Sequence, residues 1–158
     1  MKKQDLFVLG ISIILFASCN RELGEIAITG LPTAITNYVK TNYTDYTIDE
    51  AQKDTLCNGI AGIEVELEKK GAADISLFFN NENAFILKEE DIKYSTLPTN
   101  VSAFISNNYP NYEMPKKAEK ITLADGTIQY EVDLKEKTTK IEKEVLINAE
   151  GTSKICEH

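Results

Sequence analysis

Histidine is almost missing from this sequence: the one imidazole in 158 residues belongs to His158. No Ser–His or Cys–His pair can therefore be assembled for nucleophilic catalysis. Glycine-rich phosphate loops and the Cys/His spacings of metal centres are missing too. With no acid, base or nucleophile announced by its neighbours, the chain reads as a non-enzyme that calls for no cofactor and no metal. Long apolar runs are also lacking, since none reaches the ~20 residues needed to cross a bilayer core. Positive charge is scarce, with 17 Lys+Arg against 25 Asp+Glu and a net charge of −8. Such an acidic chain excludes nucleic acid and basic-patch adsorption to anionic lipid as partners.

What is present begins with a leader. Lys2 and Lys3 precede an apolar stretch, Leu6 to Phe16, that is too short to span and has the length of a signal h-region. Small residues then lead to a cysteine in Leu15-Phe16-Ala17-Ser18-Cys19. This order resembles the lipobox of bacterial lipoproteins, where the thiol takes the lipid and the chain is cut just before it. The reading is a signal peptide at 1–18, a lipidated Cys19, and a tether at 19–29. The partner through that lipid is the membrane, and the expected address is the cell envelope. Several acyl chains at about 0.8 kcal/mol per buried CH₂ hold far more firmly than one.

Lipid on Cys19 leaves Cys57 and Cys156, an even number in a compartment that permits disulfides. One bridge would close a long loop and contribute about 3–5 kcal/mol. Two separate thiols are the alternative, and sequence alone does not bring their Cα atoms together.

The body is built twice. The stretch from Leu31 to Ile48 aligns without gaps to that from Leu97 to Met114. Leu31/Leu97, Pro32/Pro98, Thr33/Thr99, Asn42/Asn108, Tyr43/Tyr109 and Tyr46/Tyr112 are identical, and Ile35/Val101, Tyr38/Phe104 and Val39/Ile105 are close swaps. Further on, Gly59 and residues 63–67 match Gly126 and 130–134. Two repeats follow, at 30–94 and 95–158. Each opens with a helix whose apolar stripe runs through Leu31, Ile35, Tyr38 and Val39, or Leu97, Val101, Phe104 and Ile105. Pro32 and Pro98 suit a first helical turn, with Thr29 and Thr96 as candidate N-caps. Asn58-Gly59 and Asp125-Gly126 then mark hairpin turns. Beyond them Ile63, Val65 and Leu67 alternate with Glu64, Glu66 and Glu68, and Tyr130, Val132 and Leu134 with Gln129, Glu131 and Asp133. That period places one strand face in a core and the other in water. Apolar runs at 75–79, 85–87 and 145–147, and a weak strand near Ile155, complete the order α-β-β-β-β, twice. Tyr43, Tyr46, Tyr109 and Tyr112 recur in both copies and are assigned to packing.

Leu97, Pro98, Phe104, Ile105, Asn108, Tyr109, Pro110 and Tyr112, followed by Asp125, Gly126, Tyr130, Glu131, Val132 and Leu134, carry a resemblance. They are similar to the PepSY-like proteins described as β-lactamase-inhibitor-like, common among lipoproteins of Bacteroidetes. The resemblance implies an α+β fold in which two tandem repeats form one curved antiparallel sheet with the helices on one face. The inhibitor behind the name binds an enzyme with its concave face. The matching positions are scaffold positions, however, so the likeness carries over no inhibitory residue.

If the copies join edge to edge, Glu64, Glu66, Glu68, Glu131 and Asp133 line one acidic surface, with Gln129 and Lys135 at its margins. That surface is the candidate binding face for an envelope protein or peptide, an inhibitor-like rather than catalytic use. The alternative is a passive structural or stress-related envelope lipoprotein whose charges only keep it soluble.

Overall fold

The computed structural model describes residues 24–56 and 58–155. Cys19, Cys57 and Cys156 lie outside the described residues, and with them the lipidation and disulfide expectations.

Helices α1 (Thr33–Asn42) and α2 (Thr99–Asn108) occupy the same place in the two copies. Each begins one residue later than the prolines suggest. Pro32 and Pro98 are the N-cap residues, with ψ near 138° and 145°, and their carbonyls accept the first helical N–H bonds, from Thr36 and Ser102. A proline there loses nothing for its missing N–H. Thr29 and Thr96 do not cap; they sit in 3₁₀ turns, Ile28–Gly30 and Tyr94–Thr96, and the Thr96 hydroxyl donates back to the Lys93 carbonyl. Both helices stop alike. The Asn42 and Asn108 amides donate to the carbonyls of Tyr38 and Phe104 at 2.9 and 2.8 Å, competing with helix continuation. Among the described residues no helix is long and apolar enough to cross a membrane.

Among the described residues ten strands form one antiparallel sheet: β1 (Gly24–Glu25), β2 (Thr47–Thr55), β3 (Ala61–Glu68), β4 (Ile75–Asn80), β5 (Phe85–Lys93), β6 (Tyr112–Glu113), β7 (Lys117–Leu123), β8 (Ile128–Glu136), β9 (Glu142–Asn148) and β10 (Ser153–Ile155). Nine follow the order β1-β2-β3-β4-β5-β7-β8-β9-β10, and β6 pairs with β8 beside β7. The two copies are fused through the β5–β7 ladder, from Leu87↔Leu123 to Lys93↔Lys117. The hairpin turns are shared: Asn58 and Asp125 side chains accept the N–H of the residue two further on, and Gly59 and Gly126 take φ of +83° and +86°. That left-handed backbone is where glycine costs least.

The expected tether is shorter than read. Residues 24–29 belong to the body: Gly24 and Glu25 pair with Lys53 and Gln52, Ile26 donates to the Ala51 carbonyl, and its side chain packs on the first core. An otherwise bare β2 edge and an apolar Ile26 are both satisfied that way.

Two cores lie between the helices and one sheet face. Leu31, Ile35 and Val39 meet Ala51, Val65, Leu67, Ile75, Leu77 and Phe79; Leu97, Val101 and Ile105 meet Ala118, Tyr130, Val132, Leu134, Val145 and Ile147. The recurring tyrosines pack at the edges of these cores, Tyr43 edge-on to Tyr46 and Tyr109 edge-on to Tyr112. A third core was not foreseen. Phe78, Leu87 and Ile121 are 2, 6 and 3% exposed although they lie on the opposite face, in register with Glu64, Leu123 and Glu89. Leu56, Ile86, Leu123 and Leu146 close around them. The face expected to be wet is thus dry at one end.

Candidate functional site

The other end of that face gathers carboxylates from six strands. The ladders put Glu50 beside Glu66, Asp91 beside Glu119, Glu119 beside Glu131, and Asp133 beside Glu144. Paired residues in antiparallel strands point to the same face, so these side chains share one surface. Of the six expected residues, Glu64, Glu66, Glu131 and Asp133 are brought together. Glu68 lies at the far end of β3, exposed and paired with Thr47, and does not line the cavities. Gln129 stands between Ile121 and Asn148, where the acidic end gives way to the third core. Glu89, Asp91, Glu119 and Glu144 were not read from sequence, because their strands run further into charged sequence than their apolar residues indicate.

Two adjoining cavities open on this face. The larger, about 490 Å³, is lined by Glu64, Glu66, Glu89, Asp91, Lys117 and Glu119 among others. The smaller, about 180 Å³, is lined by Asp91, Lys117, Ala118, Glu119, Glu131 and Asp133. Its origin is a split in the sheet. β7 pairs with β8 only from Glu119 onward, and β6 takes over at Lys135 and Glu136. Between them Met114, Pro115 and Lys116 interrupt the strand, and Pro115 has no N–H for a ladder. Lys117 is bonded to Asp91 at the rim, and Lys135 to Glu142 at 2.8 Å.

Crowding of like charge in a partly dry place raises these carboxyl groups. Burial, then the charges of Glu144, Glu119 and Glu89, and a hydrogen bond to Glu144, push Glu131 up to about 9. Burial followed by Asp133, Asp91, Glu144 and Glu64 brings Glu119 to about 7. Asp133 is raised by burial and then by Glu144 and Glu142, and Glu66 by burial and then chiefly by Glu64 and Glu50. Carboxyl oxygens of Glu131, Asp133 and Glu144 all lie within 4.8 Å of one another, near enough to share a proton or to converge on a cation. The face can attract positive charge and store protons. Among the described residues it brings together no nucleophile–base pair.

Comparison with known proteins agrees with this architecture. Three solved structures share the fold at low identity. A "putative periplasmic" protein from Bacteroides eggerthii superposes with a TM-score of 0.61 at 11% identity, over 78% of this chain and 88% of that one. A DUF2874 family protein from Bacteroides uniformis gives 0.60 at 12% identity, over 79% and 89%. A BLIP-like protein from Bacteroides fragilis gives 0.56 at 14% identity, over 81% and 90%. No curated protein matches the chain. The family described as "Putative beta-lactamase-inhibitor-like, PepSY-like" matches twice, over residues 19–87 and 86–152. The tandem α+β body of two helices on a single antiparallel sheet thus belongs to the PepSY-like family.

Proposed function

We propose that this chain is a lipid-anchored, non-enzymatic protein of the cell envelope that docks a cationic segment of another protein or peptide on its acidic sheet face. The anchor is Cys19, on the strength of the leader that precedes it. One observation carries the docking reading. Glu64, Glu66, Asp91, Glu119, Glu131 and Asp133 come from four strands to line two adjoining cavities, with Lys117 as the lining cation. Like charges crowded on one half-buried face are an unfavourable arrangement in isolation and a favourable one against a positive partner. The periplasmic and inhibitor-like descriptions of the relatives are in keeping with a protein that works by binding.

A fluorescein-labelled hexalysine peptide, followed by anisotropy at 50 and 300 mM salt, tests the reading. Binding is expected at low salt, weakening several-fold at high salt as charges are screened. Replacing Glu66→Lys and Asp133→Lys together should abolish it in a protein whose circular dichroism is unchanged. Undiminished binding by that variant, or none by the parent, would return these charges to the passive role of keeping the body in solution.

A further inference from the structure

The cleft between β7 and β8 places carboxyl groups where they face one another. Glu131 meets Glu119 across the ladder from β7, Glu144 from β9, Asp133 on its own strand, and Glu89 from β5. Glu64 on β3 adds its charge to Glu119, and Glu142 on β9 to Asp133. Two lysines of this face are engaged at the rim, Lys117 with Asp91 and Lys135 with Glu142, and Lys93 stands opposite Lys117 in the β5–β7 ladder. Side chains at this spacing cannot all ionise, and the cheapest relief is to keep a proton. A guanidinium or ammonium entering the cleft supplies the same relief and makes the proton unnecessary.

We propose that the β7–β8 cleft holds a proton in the free protein and expels it when a cationic side chain of the docked partner enters, so that docking releases protons and tightens as pH rises through neutrality. The inference rests on the docking reading above and goes beyond it by coupling the site to pH. The sign follows from linkage: the docked state binds fewer protons, so affinity rises with pH. The window is set by Glu119 near 7 and Glu131 near 9, hence roughly pH 6 to 9. One proton released per docking event corresponds to about a tenfold gain in affinity per pH unit. A carboxylate face of ordinary acidity would show no gain there.

A hexa-arginine peptide is the suitable probe, because its side chains stay charged throughout the window. Carboxyl-carbon NMR of the free protein between pH 4 and 10 should show a glutamate titrating above pH 6, moved down when the peptide is added. Calorimetry at pH 7 in phosphate and in Tris should give different binding heats, reporting about half a proton or more released. Glu131→Gln should release fewer protons for each peptide bound, and a variant that releases as many as the parent overturns the proposal. If every carboxyl group of the free protein titrates below about pH 5.5, the proposal is overturned whatever the peptide does. Equal heats in the two buffers overturn it while leaving docking intact. A peptide that does not dock at low salt removes the docking reading and this coupling with it. Millimolar calcium that collapses the same titrations and excludes the peptide assigns the cleft to a metal ion instead.

Discussion

Replacing Glu131→Gln should make the protein more stable in mild alkali and change little in mild acid. In the folded chain Glu131 keeps its proton to about pH 9, whereas in the unfolded chain it loses it near 4.5. The folded state therefore binds more protons across that interval, and its stability falls as pH rises through it. Each pH unit inside the window corresponds to about 1.4 kcal/mol for one such group. From pH 6 to 8 the full value for Glu131 is thus about 3 kcal/mol. Its carboxyl retains some contact with water, so about half of that is expected. Glu119, brought to about 7, adds to the slope below neutrality. A loss of about 1–2 kcal/mol is easily seen against the 5–15 kcal/mol that holds an ordinary domain together. Glutamine has nearly the same shape, can still hydrogen-bond Glu144, and cannot ionise. The variant should match the parent at pH 5 and exceed it by about 1–2 kcal/mol at pH 8. Urea unfolding at pH 5, 6, 7 and 8, followed by circular dichroism, reads the difference as a shift in midpoint at constant slope. A parent whose stability is flat or rising between pH 6 and 8 would refute the reasoning, as would a variant with the parent's pH dependence.

Two further outcomes are expected. Gly62→Ala should cost more than about 3 kcal/mol in urea unfolding or prevent folding, since its Cβ would lie 2.0 Å from the Phe79 carbonyl oxygen and 2.8 Å from the Phe78 ring; a change under about 0.5 kcal/mol would show that β3 and β4 move apart freely. In cells fed radiolabelled palmitate, label should enter the parent chain and be lost in Cys19→Ser, and label retained by the variant would place the anchor elsewhere.

Much of the scaffold was legible because the residues that build it answer to one requirement each. Leu31, Ile35 and Val39 need only a helix period, and Asn58-Gly59 and Asp125-Gly126 only a turn. Val65 and Val132 lie under helices and alternate with charged neighbours accordingly. The central strands were not legible for the opposite reason. On the helix side of the seam between the copies, Lys88, Glu90 and Lys120 stand where apolar residues would mark a strand. They satisfy one another instead, Lys88 and Lys120 reaching the Glu90 carboxylate at 2.9 and 3.5 Å. With that face polar the alternation disappears, so β5 reads as ending at Leu87 and β7 as starting at Ile121. The acidic residues at 89, 91 and 119 were hidden with it. Phe78 misled in the other sense, since its apolar side chain lies on the face that Glu64 and Glu66 mark as wet. Half of the candidate site was thus written in alternating strands, and half depended on a register that only the β5–β7 pairing supplies.

That pairing is a head-to-tail contact: the last strand of the first copy receives the first full strand of the second. Unlike a two-fold interface, such a contact does not close on itself, and a unit that makes it once can in principle make it again with the next molecule. At the β2 end the next place is already taken. Gly24, Glu25 and Ile26 bond to Lys53, Gln52 and Ala51 on the outer edge of β2. Residues 24–26 therefore act as a chain terminator, occupying part of the edge through which neighbouring molecules would otherwise polymerise into filaments.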